Sequence, residues 1–128
     1  MKILFVDDSA LMRRSMVKMA NDSGFKTLEA ENGAEALVRI RKYGPAIDLV
    51  VLDWNMPVMD GIEVLEKIKA DKEHANIPIL MATADGVEED VIRAIQAGAA
   101  GYLVKPFTPE LLIKKISEIL GTQPAPRD

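Results

Sequence analysis

Cysteine is absent from this sequence and histidine occurs once, at His74. Disulfide staples and thiolate metal sites are thereby excluded, and one imidazole cannot assemble a zinc centre, so any metal here must be held by oxygen. A surplus of positive charge is missing too: 16 Lys and Arg stand against 20 Asp and Glu, for a net charge of -4 and a pI near 5.1. Phosphate backbones are gripped by clustered Lys and Arg, so no direct nucleic-acid partner is expected. From Met1 the chain enters an apolar stretch that stops at Val6, before Asp7 and Asp8. That is too short for a signal peptide or a membrane span, and the expectation is a cytoplasmic protein with no membrane partner.

What is present is ordinary globular material. The 128 residues are 48% hydrophobic and 28% charged, which suits one compact domain able to bury a core unaided. Short apolar runs at 2–6, 26–30, 49–52, 77–82 and 101–104 read as strands. Between them, apolar residues recur at helical spacing: Met12, Met16 and Met19; Leu37 and Ile40; Ile62, Leu65 and Ile68; Val87, Val91, Ala94 and Ile95; Leu112, Ile116 and Ile119. Ser9 and Thr108 stand where helix N-caps are wanted, Pro109 follows at the favoured first helical position, and Gly24, Gly44, Gly98 and Gly121 stand near helix ends. Strict alternation of strand and helix implies an α/β, doubly wound, five-stranded parallel sheet with five helices on its two faces. The domain with this pattern is 1–121, and the polar, aperiodic 122–128, with Pro124 and Pro126, reads as a flexible tail or the start of a linker.

In open parallel sheets, ligands bind outside the carboxyl ends of the strands. Asp7 and Asp8 follow the first strand, Asp53 the third, Thr83 the fourth and Lys105 the fifth. Three carboxylates converging on one edge repel each other unless a divalent cation sits among them. Oxygen-only ligation suits Mg2+, with Mn2+ the usual substitute. A carboxylate beside such a cation is a nucleophile for phosphorus, and Asp53, ending the most apolar strand, is the expected phosphoacceptor. Asp7 and Asp8 are the expected metal ligands; Lys105 offers a point charge and Thr83 a hydroxyl to phosphoryl oxygens.

These residues resemble the response-regulator receiver family. The resemblance is carried by Asp7-Asp8, by Asp53 with Met56-Pro57 and Met59-Asp60-Gly61 behind it, by Thr83-Ala84 and by Lys105-Pro106-Phe107, and it spans nearly the whole chain. Within the family, 53–57, 9–14 and 105–108 are most similar to the chemotaxis regulators. The resemblance implies the flavodoxin-like strand order 2-1-3-4-5 and phosphorylation of Asp53. It also implies Mg2+ held by Asp7, Asp8, Asp53 and the backbone carbonyl of Asn55, phosphoryl contacts from Thr83 and Lys105, and a cis peptide before Pro106. Tyr102 matches an aromatic that moves inward when Thr83 is drawn toward the phosphate. The implied partners are a histidine kinase donor and a downstream protein bound on the face of the fourth helix, fifth strand and fifth helix. The protein would be a signalling phosphoacceptor rather than an enzyme. One departure is the acidic run Glu88-Glu89-Asp90 at the start of the fourth helix, where the motor-binding chemotaxis regulator has lysines. It puts a flagellar motor target in doubt.

Simpler readings exist for each part alone. A single Asp at a strand end is more often a cap or turn former, Lys105-Pro106 a chain reversal and Tyr102 a static half-buried aromatic. Trp54 and Met56 read as local packing, Arg13, Arg14 and Lys18 as a solvated helix face, and His74 as a solvent-exposed loop residue. Other function classes fit less well. An aspartyl-phosphate phosphohydrolase would carry its nucleophile after the first strand, and a flavin module would not place Asp7-Asp8 in its phosphate loop.

Overall fold

The computed structural model describes residues 1–84 and 86–121; the tail expected at 122–128 lies outside the described residues. Five strands, β1 (Lys2–Val6), β2 (Lys26–Ala30), β3 (Leu49–Asp53), β4 (Ile79–Thr83) and β5 (Gly101–Val104), form one sheet in the order β2-β1-β3-β4-β5. Every pairing is parallel, with Val6 beside Leu52, Asp53 beside Ala82 and Thr83 beside Val104. Parallel neighbours require crossovers, and the helices α1 (Ala10–Asp22), α2 (Gly33–Tyr43), α3 (Gly61–Ala70), α4 (Glu88–Gln96) and α5 (Pro109–Leu120) supply the covering layers.

Burial follows from position in the sheet. β3 and β4 are buried along their whole length, whereas the edge strands β2 and β5 are only partly so. Side chains alternate across a strand, so two cores form. Leu4, Val6, Val50, Leu52 and Met81 pack with α2, α3 and Ala94 of α4 on one face. Ile3, Phe5, Val51, Leu80 and Leu103 pack with Met16 and Ala20 of α1 and Leu112, Ile113 and Ile116 of α5 on the other.

The helix starts are chemically marked. Ser9 Oγ accepts from Met12 N–H at 3.2 Å and Thr108 Oγ1 from Leu111 N–H at 3.1 Å, as the sequence suggests. Asn32 and Asp60 cap α2 and α3 in the same way, accepting from Glu35 and Glu63 N–H at 2.7 and 3.0 Å. β4 begins two residues later than expected, because Ile77 N–H turns back to the His74 carbonyl instead of entering the ladder. A short 3-10 helix, Gly44–Ala46, also intervenes before β3, started by Pro45.

His74 departs from its expected exposure: it is buried, with Nδ1 2.8 Å from Asp71 Oδ2 and its ring packed where a Cβ on Gly44 would fall. The hydrogen bond to His74 holds the Asp71 carboxyl below the usual carboxylate range. Lys69 reinforces the same loop by donating to the carbonyls of Ala75 and Ile77, both at 2.9 Å. Both ties lie before β4, at the sheet end opposite the carboxyl ends of the strands. Among the described residues no helix is long and apolar enough to cross a membrane.

Candidate functional site

The carboxyl ends of β1, β3, β4 and β5 form the site. Asp7 and Asp53 continue the alternation of Phe5 and Val51, and Lys105 that of Leu103, so all three are in phase with the α1/α5 core. Their side chains meet. Lys105 Nζ lies 2.6 Å from Asp7 Oδ2 and 3.4 Å from Asp53 Oδ1. Asp7, Asp8 and Asp53 each bring a carboxylate oxygen within 4.8 Å of the others'. Asp7 and Asp53 are buried, and Asp8 is exposed.

Local backbone explains this placement. Asp7 leaves β1 still bonded to β2 through its N–H to the Ala30 carbonyl, and its Oδ1 accepts from Ser9 N–H at 2.9 Å. At β3, Gly61 N–H donates to the Trp54 carbonyl at 2.8 Å. A Cβ on Gly61 would collide with the Asp53 carbonyl oxygen and stand 2.7 Å from Trp54 Cα, so only glycine lets α3 start this close to Asp53. Trp54 and Met56 are buried in the α2/α3 core, as packing residues should be. Asn55 is exposed on the loop directly after β3. The peptide between Lys105 and Pro106 is cis, and Lys105 N–H bonds the Thr83 carbonyl at 2.7 Å.

Thr83 is fully buried at the end of β4, in phase with Met81 and hence with the other core. Tyr102 pairs with Met81, one step further from the site, and is half-buried against that same core. Thr83 and Tyr102 therefore share the α4 side of the sheet.

Arg13 was expected on a solvated face, and the structure corrects this. Its guanidinium donates to the Asp7 carbonyl at 2.7 Å and to Glu29 Oε1 at 2.9 Å, tying α1 to the ends of β1 and β2. Its helical position alone gave no sign of this. Lys18, by contrast, is exposed and pairs with Asp22, one turn along.

Electrostatics decide what the pocket accepts. Burial pushes the Asp53 carboxyl up to about 6; Lys105 opposes this, and Asp7 and then Asp8 add to it. One ammonium among three carboxylates leaves an excess of negative charge that a divalent cation would balance. The all-oxygen, partly open donor set fits Mg2+, which takes few carboxylates and retains water.

Comparison with known proteins gives a consistent result. Residues 3–117 match the response regulator receiver domain model. The chain is 48% identical over 120 residues to chemotaxis protein CheY-3 of Vibrio cholerae, spanning 93% of this chain and 91% of that one. It is 41% identical over 126 residues to a CheY homolog of Campylobacter jejuni, spanning 95% and 94%. Among solved structures, Vibrio cholerae CheY4 superposes with a TM-score of 0.87 at 36% identity, covering 93% of this chain and 98% of the other. The CheY chain in a CheX–CheY–BeF3–Mg2+ complex from Borrelia burgdorferi gives 0.88 at 30% identity, covering 92% and 87%.

Proposed function

The chain belongs to the response regulator receiver domain family and is a CheY-type receiver of two-component signalling; on that premise we propose that it signals by accepting a phosphoryl group on Asp53. The observation that carries this is the meeting of Asp53 with Asp7, Asp8 and Lys105 at one sheet edge. Asp53 is the one carboxylate of the three that ends a fully buried central strand.

In the proposed reaction an Asp53 carboxylate oxygen bonds to phosphorus as the bond from phosphorus to its donor atom breaks. The donor is a histidine kinase or, more slowly, a small acyl phosphate. Asp7, Asp8, Asp53 and the Asn55 carbonyl would hold Mg2+, with Mn2+ able to substitute, and the bound ion would neutralise charge on the transferring oxygens. Lys105, now shared between Asp7 and Asp53, pairs with one phosphoryl oxygen, and the Thr83 hydroxyl donates to another.

Thr83 and Tyr102 then act as a switch that remodels the α4–β5–α5 face for a downstream protein. The receiver unit is 1–121, with 122–128 a tail or linker, and the setting is cytoplasmic. Neither a nucleic acid nor a membrane is a direct partner. The reading supports a signalling protein that catalyses only its own phosphorylation and dephosphorylation.

Incubation with acetyl phosphate and Mg2+, followed by borohydride trapping and peptide mass spectrometry, tests the assignment. One label is expected, at Asp53. A label of equal yield in Asp53→Asn sinks it.

A further inference from the structure

Asp7 and Asp8 are held in different ways. Both oxygens of the Asp7 carboxylate are fixed, Oδ1 by the Ser9 N–H at 2.9 Å and Oδ2 by Lys105 Nζ at 2.6 Å. The exposed Asp8 carboxylate has no such tie among the described residues. Its direction therefore depends on the backbone that carries it.

Two peptide planes meet at the Asp8 Cα, and because each plane is rigid, their orientations set where the side chain of Asp8 leaves the chain. One plane is held through the Ser9 N–H, which donates to Asp7 Oδ1. The other is held through the Asp7 carbonyl, which accepts from Arg13 Nη1 at 2.7 Å. The Arg13 N–H also donates to the Ser9 carbonyl at 2.9 Å, so one residue grips the chain on both sides of Asp8. Arg13 is itself steadied, since its Nε donates to Glu29 Oε1 at 2.9 Å and its side chain is only 11% exposed. A planar guanidinium meets two acceptors in fixed directions, which suits a brace better than a point charge does.

We propose that Arg13 is a positioning residue of the metal site: by fixing the Asp7–Asp8 peptide it aims the Asp8 carboxylate toward the oxygens of Asp7 and Asp53, which lie within 4.8 Å of its own. The inference rests on the Mg2+-dependent phosphoacceptor reading and adds a residue that acts through Asp8 without touching the ion. Charge alone leads to the opposite expectation. A cation bonded to the carbonyl of a metal ligand repels a second cation, so its removal would tighten Mg2+ binding, whereas loss of a brace would weaken it. The two accounts differ in sign.

The test titrates Mg2+ into the full chain, followed by Trp54 fluorescence and by the amide shifts of Asp8 and Ser9. Arg13→Met keeps an unbranched stem and removes both side-chain donors, and it should raise the Mg2+ midpoint about tenfold, the lower end of what a lost partner of a metal ligand costs. Arg14→Met, at the exposed neighbour, changes the net charge equally and should leave the midpoint within twofold of wild type. Urea unfolding in EDTA accompanies each titration, because a merely structural role for Arg13 would lower stability and leave the midpoint of the folded protein unchanged. An unchanged or lower midpoint in Arg13→Met, or equal weakening in Arg14→Met, overturns the proposal. Should Arg13→Met not fold, Arg13→Lys decides: it keeps the charge without the fork, and a midpoint at least twofold higher supports the brace while a wild-type midpoint overturns it. Acetyl phosphate labelling separates the two readings. A wild type labelled at Asp53, with Arg13→Met binding Mg2+ equally well, sinks only this inference. A wild type that binds Mg2+ and stays unlabelled sinks the phosphoacceptor reading, while the midpoints still judge Arg13; a wild type that does not respond to Mg2+ overturns both.

Discussion

A buried carboxyl beside two others is held in its protonated form more readily than one in water, and Asp53 shows the consequence. Its pKa is raised from 3.8 to about 6, first by burial and then against the pull of Lys105. For an acid whose folded-state pKa lies above its unfolded value, the folded state binds more protons between the two. Stability therefore falls as pH rises from about 4 through about 6 and stays lower above that. Asp53→Asn removes the ionisation. In EDTA at pH 7.5 the variant should be more stable than wild type by on the order of 1 kcal/mol, with water that reaches the open pocket reducing the full linkage value. The gain should fade as the pH drops below 5. Urea unfolding followed by the buried Trp54 at both pH values measures it; a variant less stable at pH 7.5 refutes the burial account. Other residues serve the site without touching its contents. Arg13 holds the Asp7 carbonyl, and Ser9 N–H holds Asp7 Oδ1, so α1 sets the attitude of a carboxylate on β1.

α3 starts hard against the end of β3. Gly61 donates to the Trp54 carbonyl, and a methyl there would overlap the Asp53 carbonyl oxygen. Because the obstacles are backbone atoms, no rotamer change relieves the overlap, and α3 or the Asp53 loop must shift. Gly61→Ala should cost about 2 kcal/mol of stability, within the usual range for overpacking. It should also slow acetyl phosphate labelling more than tenfold, since small displacements at a reacting carboxylate are costly. Chemical denaturation and initial labelling rates check both; a variant with wild-type labelling would show that the approach is not tight. The opposite end of the sheet is tied differently, by the buried His74–Asp71 pair and by Lys69 on two carbonyls. These contacts fix the connection into β4, the strand that ends in Thr83.

Across the whole molecule, the sheet separates the proposed phosphoacceptor from the α4 side. Asp7, Asp53 and Lys105 are in phase with the α1/α5 core, whereas Thr83 and Tyr102 are in phase with the α4 side. Thr83, buried at the strand end, is the proposed link between an event at Asp53 and α4. A ligand shifts such an equilibrium only by its differential affinity for two states, with coupling of about 1–3 kcal/mol typical. Thr83→Ala should still accept phosphate while losing more than half of the beryllofluoride-induced amide shift changes between residues 87 and 103. Equal shift changes in variant and wild type would eliminate Thr83 as the link.

Period and punctuation made much of this molecule legible in advance. β1, β2 and β5 lie where short apolar runs place them, Ser9 and Thr108 cap α1 and α5, and strand–helix alternation leads to the parallel sheet, because these are local properties of backbone and solvent. The acids of the pocket were legible for a related reason, since a parallel sheet must bring its carboxyl ends to one edge. The caps Asn32 and Asp60 had a local signature too, each with Glu three residues on, and went unread. What no local pattern carried was set by distant partners. His74 sits among polar neighbours in sequence and is buried because Gly44 leaves room for its ring. Arg13 lies on a helix face that looks solvated until β1 and β2 bring the Asp7 carbonyl and Glu29 beneath it. Which residues are polar, and on which edge they fall, is written in the chain; which of them meet, at what separation and with what ionisation, depends on chain segments far apart in sequence that only folding brings together.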